Sequence, residues 1–296
     1  MADAIEREVA VDGGRLHVRD HPGSSPAIVA LHGFPDDSRI YKQLLGPLAP
    51  HRVVTFDWIG YGRSSRRDSK QFSAGDRQRE LGAVLDGLEL DEVVLVAHDA
   101  GGPEAIDFTV THPQRVAGLV LLNTYYGRSD HLRLPEMIAL MADPGLAPLT
   151  DALLDDTNQR LWLLLYTGRR FGQDDSVPPD GIAAVSILPQ FFGDTTQTDA
   201  LIEIRAWTAD IPHALDRQDA MIASGQLCAT RASVSVIFGR EDPNLNPDLA
   251  QHIARLFENA QLHLLDGASH WPQWDRPDVV ADVIKQSIAA TRTTSG

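Results

Sequence analysis

Asp99 stands in the run Val93-Val94-Leu95-Val96-Ala97-His98-Asp99-Ala100-Gly101-Gly102-Pro103, where an apolar stretch rich in β-branched residues meets a charge flanked by small residues. That pattern predicts a buried strand turning tightly into a helix, with Asp99 on the turn and the helix N-terminus beside any anion that develops there. An Asp before a helix also serves as an N-cap, and these residues alone leave both roles open. Two further residues bear on the choice. Asp242 follows the apolar run Val234-Ser235-Val236-Ile237-Phe238, and His270 follows Gln261-Leu262-His263-Leu264-Leu265. Carboxylate, second carboxylate and imidazole, in that order and each after a strand, are the parts of a nucleophilic hydrolytic triad. A carboxylate nucleophile is already anionic, so it displaces a leaving group at saturated carbon and forms an alkyl ester. The imidazole, oriented by the other acid, then activates water against that ester.

The elements needed to position these residues can be read in order. Residues 7–11 and 15–19 alternate apolar and polar around Asp12-Gly13-Gly14, predicting an antiparallel hairpin. Buried strands follow at residues 27–31, 52–56, 93–98 and 116–122, the last ending at Asn123. Helical spacing separates them: Ile40, Leu44, Leu45 and Leu48 after an Asp37 or Ser38 cap, then residues 73–88, then a helix ending near Thr111-His112-Pro113. Strands alternating with helices imply a mostly parallel sheet with right-handed crossovers. From Thr124 to His213 the alternation stops, and apolar residues recur at helical spacing, as in Leu161, Trp162, Leu164, Leu165 and Tyr166. This predicts an inserted helical cap at residues 124–213 on a core formed by 1–123 and 214–296. Strand and helix resume at 234–238, 247–257, 261–265 and 278–290, and 291–296 reads as a frayed tail.

Composition narrows the classes. The 296 residues carry a formal net charge of −15, with 43% hydrophobic and 23% charged residues. That balance fits a globular protein and argues against nucleic acid or an anionic membrane as partner. The basic pairs Arg66-Arg67 and Arg169-Arg170 read as solvated surface. The single cysteine, Cys228, excludes an internal disulfide framework, and its neighbours Leu227 and Ala229 suggest a packed thiol. The first residues lack a signal-peptide pattern and no stretch approaches the ~20 apolar residues of a membrane span, which predicts a cytoplasmic protein, monomer or homodimer. His32, His98 and His112 share no metal-ligand spacing, and the triad chemistry calls for neither metal nor cofactor. The loop Gly60-Tyr61-Gly62-Arg63-Ser64-Ser65 lacks the third glycine of a dinucleotide fingerprint.

Five motifs together resemble the α/β-hydrolase superfamily, and within it the branch of epoxide hydrolases and haloalkane dehalogenases. They are His32-Gly33-Phe34-Pro35, Asp57-Trp58-Ile59-Gly60-Tyr61-Gly62-Arg63-Ser64, His98-Asp99-Ala100-Gly101-Gly102, Gly239-Arg240-Glu241-Asp242 and the loop at His270. The resemblance implies an α/β-hydrolase fold with Asp99 as nucleophile, Asp242 as acid, His270 as base, and the backbone N–H groups of Phe34 and Ala100 as oxyanion hole. It departs from the dehalogenases at two places, because an indole usually follows the nucleophile where this chain has Ala100, and their other halide donor is absent at Phe34. Ala100 also lacks the carboxylate-binding Arg of fluoroacetate dehalogenases.

The expected reaction is therefore hydrolysis of a small apolar epoxide to a vicinal diol, with water as second substrate. A haloalkane or haloacid dehalogenase of the same mechanism is the alternative, and a non-catalytic ligand-binding relative is a weaker one. A serine esterase is disfavoured because no serine occupies the turn. For the donor to the leaving group, Tyr166 leads, with Tyr125 and Tyr126 in reserve. Trp162 and Trp207 are indole candidates, and His98 is placed in the pocket beside them.

Overall fold

The computed structural model describes residues 4–66, 75–171, 181–193 and 200–294. Eight strands, β1 (Ile5–Val11), β2 (Gly14–His21), β3 (Ser24–Leu31), β4 (His51–Phe56), β5 (Val93–Asp99), β6 (Val116–Thr124), β7 (Ser233–Gly239) and β8 (Gln261–Leu265), form one sheet ordered β1-β2-β4-β3-β5-β6-β7-β8. β1 and β2 form the antiparallel hairpin, β2 pairs antiparallel with β4, and every other pairing is parallel. The central strands are continuous apolar runs because both faces are covered. Val93, Leu95 and Ala97 of β5 pack into the layer holding α1 (Asp76–Gly87) and α2 (Gly101–Thr111), while Val94 and Val96 join Tyr41 and Ile284 on the other face.

Between β6 and β7 the described chain is helical: α3 (Glu136–Ala142), α4 (Ala147–Asp155), α5 (Thr157–Phe171), a π-turn at Ala183–Ile187, α6 (Leu188–Phe192) and α7 (Leu201–Ala223). The predicted boundary at residue 213 falls inside α7. This insertion docks on the loops that follow β3 and β4. Ser186 Oγ accepts from the Asp37 N–H (2.8 Å), and Gln190 bridges the Asp37 carboxylate (2.7 Å) and the Gly62 N–H (3.1 Å). The core closes with α8 (Pro247–Ala254), α9 (Pro272–Asp275) and α10 (Pro277–Thr294).

Some elements differ from expectation. α10 continues through Thr294, so most of the predicted frayed tail is helical. α8 stops at Ala254, short of Phe257. Cys228 is exposed, its Sγ near the Leu256 carbonyl at 3.5 Å, because it lies in a turn beyond α7 and outside any packed element. Ser73, where the helix before β5 was expected to begin, and Arg67 of the basic pair lie outside the described residues. No single helix among the described residues is long and apolar enough to cross a membrane.

Candidate active site

β5 ends on Asp99, whose φ of +48° is left-handed, a conformation a non-glycine residue adopts only when its surroundings impose it. The β5–β6 register shifts between His98 and Asp99, and the Thr124 hydroxyl donates to the Asp99 carbonyl (2.6 Å), pinning the turn from the neighbouring strand. Glycine is required opposite: a Cβ on Gly33 would fall 2.5 Å from that of Asp99. Ala100 is the residue before α2, and Asp99 makes no side-chain cap to the helix. Instead Asp99 Oδ1 accepts from the Phe34 N–H at 2.9 Å, and the Ala100 N–H lies near enough to favour the ionised carboxylate.

His270, in the loop after β8, places Nε2 3.8 Å from Asp99 Oδ2 and Nδ1 2.7 Å from Asp242 Oδ2. Asp242 is saturated with donors. Its Oδ2 also accepts from Asn123 Nδ2 (2.7 Å), and its Oδ1 accepts from the N–H groups of Asn244 (2.8 Å) and Leu245 (3.0 Å). Asn123 is in turn braced by the Gly239 N–H, which donates to its Oδ1 at 2.8 Å. Burial alone would raise the Asp242 carboxyl, but His270 and these donors hold it below the usual carboxylate range. Burial likewise would lower His270, yet the charge and hydrogen bond of Asp242, with help from Asp99 and Asp36, push it up to about 9. Burial raises the Asp99 carboxyl, against the pull of His270, His98 and the two amides. At neutral pH the resting site therefore holds His270 as an imidazolium beside the Asp99 carboxyl.

A cavity of about 370 Å³ opens above Asp99. Tyr125 and Trp207 line it, together with Phe34, Ala100, His270 and apolar residues of α3, α5 and the π-turn. Among the described residues neither the Tyr125 hydroxyl nor the Trp207 indole nitrogen has a hydrogen-bond acceptor. The charge of Asp99, added to burial, raises the Tyr125 phenol.

Four predicted pocket or donor residues lie elsewhere, among them Tyr126, fully buried with its hydroxyl donating to Asp107 on α2. Tyr166 (44% exposed) and Trp162 (56% exposed) stack on each other, ring centroids 5.7 Å apart, on the outer face of α5. The cavity is instead lined by the residues between them, Leu164 and Leu165, so the helical period that made this run look like a pocket wall turns both aromatics to solvent. His98 is fully buried behind the cavity, its Nε2 2.8 Å from the His270 carbonyl oxygen and its Nδ1 3.3 Å from Asp36 Oδ2. Trp271 Nε1 also donates to Asp36 (3.3 Å). His98 and Asp36 thus hold the His270 loop from behind and do not face a substrate. Ser64 is structural, donating to the Asp57 carbonyl and accepting from the His17 N–H.

Reasoning from the sequence missed Asn123, Asp36 and Trp274. Asn123 did carry a signal, since it is a polar residue at the carboxyl end of an otherwise apolar strand, where sites of parallel sheets collect. Asp36 sits in a loop, and Trp274 in the short helix α9, whose placement nothing local specifies. Among the described residues, no cluster of three or more His, Cys, Asp or Glu side chains is arranged to hold a metal ion.

A strand-turn-helix bearing Asp99, two converging loops bearing Asp242 and His270, and a helical insertion over the carboxyl ends of a mostly parallel sheet define an α/β hydrolase. The profile of the α/β-hydrolase-fold family matches residues 26–277, and the chain belongs to that family. It is similar to a haloalkane dehalogenase of Mesorhizobium japonicum, 38% identical over 272 residues, covering 88% of this chain and 84% of that protein. Epoxide hydrolase B of Mycobacterium tuberculosis is 34% identical over 137 residues, covering 44% of this chain and 38% of that protein. The crystal structure of an epoxide hydrolase from Vigna radiata superposes with a TM-score of 0.73 at 19% identity, over 97% of this chain and 98% of that one, a likeness of fold alone.

Proposed function

We propose that this hydrolase opens a small apolar epoxide to a vicinal diol through an ester on Asp99. The observation that carries the reading is the geometry itself: the Asp99 carboxyl on a strained turn, held by the Phe34 amide and facing an apolar cavity, with His270 Nε2 3.8 Å away. In the first step an Asp99 oxygen attacks a ring carbon, the C–O bond breaks, and the alkoxide takes a proton from a donor on the cavity wall. Tyr125 is the best-placed phenol, replacing Tyr166 in that role. Before the second step the proton of His270, carried through water, restores the donor. Neutral His270 then removes a proton from water, the hydroxide adds to the ester carbonyl, and the diol leaves with one oxygen drawn from Asp99, taking its proton from His270. The amides of Phe34 and Ala100 then hold the tetrahedral oxyanion, each worth about 3 kcal/mol in such a role.

Dehalogenation is the second reading. It is supported by the Trp207 indole on the cavity and by the 38% identical dehalogenase, and it needs the same Asp99, His270 and Asp242. The deciding experiment is a single turnover in oxygen-18 water with styrene oxide and, separately, 1-bromobutane. Epoxide hydrolysis predicts diol that carries unlabelled oxygen from the protein, lost in Asp99→Asn. Free bromide without any diol from the epoxide would replace the first reading with the second, and turnover of neither substrate would remove both.

A further inference from the structure

The cavity's charges are distributed unevenly. Its charged lining side chains are Asp99, Asp275 and His270, and no lysine or arginine lines it among the described residues. The sequence from residue 171 to 200, which supplies Ile182, Ile187 and Leu188 to the wall, contains no lysine or arginine. Behind the floor stand two more carboxylates, Asp242 and Asp36, both buried. At the mouth, Asp275 is held in place by the Ser269 N–H, which donates to its Oδ2 at 2.9 Å, one residue before His270. Glu241 lies close enough to Asp275 for their charges to repel. The single imidazolium at His270 is already committed to Asp242 and Asp99.

We infer that this cavity excludes carboxylate-bearing substrates, with Asp275 at its mouth as the specificity-determining residue. An entering anion gives up its hydration, meets no lysine or arginine among the described lining residues, and passes one carboxylate to approach another across apolar walls that screen poorly. A neutral molecule of the same shape meets only the apolar wall. The substrate class is thus neutral epoxides or halides, as opposed to haloacids or epoxy acids. The inference rests on the cavity above Asp99 being the substrate site of the proposed reaction.

The test uses ligands that cannot react. Trp207, Trp271 and Trp274 line the cavity, so tryptophan fluorescence reports its occupancy. Three probes of one skeleton, 2-phenylethanol, phenylacetate and 2-phenylethylamine, differ in charge at about pH 8. Phenylacetate is expected to bind at least about tenfold more weakly than the alcohol, and the amine no more weakly than the alcohol. Asp275→Asn keeps an acceptor for the Ser269 N–H and should narrow the acid-to-alcohol gap by about threefold or more.

Equal binding of acid and alcohol, or a gap untouched by Asp275→Asn, overturns the inference. Equal exclusion of acid and amine overturns it too, because desolvation and not the sign of charge would then be selecting, and so does a failure of all three probes to bind. Since none of the probes turns over, an intact ranking alongside inert epoxides would count against the proposed reaction alone.

Discussion

In the proposed reaction Asp99 attacks as the carboxylate beside a protonated His270, and the first step removes the negative charge. Esterified Asp99 no longer holds the proton on His270, so the imidazole becomes more acidic at the moment it must act as a base. Asp242 remains, and its charge and hydrogen bond are the strongest influences raising His270. Asp242→Asn is therefore expected to lower turnover by roughly 10³–10⁴-fold, by analogy with other oriented catalytic histidines, while leaving substrate binding nearly unchanged. It should also move the ascending limb of the pH profile for ester hydrolysis downward by about one unit or more. Stopped-flow measurement of the hydrolytic half-reaction across pH checks this, and an unmoved limb would mean that Asp242 does not act through His270.

The insertion and core are joined around a buried cation. Arg77, at the start of α1, donates from Nη1 to the Ile59 carbonyl (3.1 Å) and to Glu80 (2.8 Å), and its Nη2 lies 3.9 Å from Glu203 on α7. Three rings surround its guanidinium, those of Trp58, Tyr61 and Trp207, with centroids 5.3, 5.6 and 5.2 Å from Cζ. Gly60, at φ +90°, has no side chain because Glu203 occupies the space a Cβ would need. Trp207 in turn meets the ring of Phe34 edge-on at 5.3 Å, which connects this cluster to the residue whose amide holds Asp99. Arg77→Met keeps most of the volume but leaves the Glu80 and Glu203 carboxylates buried without their guanidinium. The expected cost is about 3–5 kcal/mol of stability, read by denaturant unfolding, with a rise in KM larger than any fall in kcat as Trp207 loses its support. A variant as stable as the parent would show that the rings, and not the charge, hold the cap.

For the whole molecule, the same shift that tunes His270 makes folding stability depend on pH. A histidine raised from 6.5 to about 9 stabilises the fold fully below pH 6.5, and that contribution is lost as pH climbs through about 9. His32 acts oppositely: burial lowers it to about 4, so its contribution is present above pH 6.5 and is lost as pH falls toward 4. The wild type minus His270→Gln difference in unfolding free energy should thus shrink steadily between pH 6.5 and 9. A difference that stays constant over that interval would mean that His270 is not held protonated in the native state. Base catalysis needs the neutral imidazole whereas the stabilising charge needs the protonated one, so the pH of greatest stability should lie below that of greatest hydrolytic rate.

The order of strands and helices, the turn at Asp99 and the loops of Asp242 and His270 were legible from sequence because each is a local matter. Continuous β-branched runs, a small-residue turn and a strand's carboxyl end depend on neighbours within a few positions. What β5 would press against, and which atoms would meet across it, depended on packing between distant segments. Asn123 bracing Asp242, Asp36 and His98 behind His270, and Arg77 among three rings join residues 16 to 172 positions apart, and no local periodicity encodes them. The cap shows the division most plainly. Its helical period was readable in Leu161 to Tyr166, but a period fixes only which residues share a face, and the docking of the insertion on the core decided that Leu164 and Leu165 face Asp99 while Trp162 and Tyr166 face water.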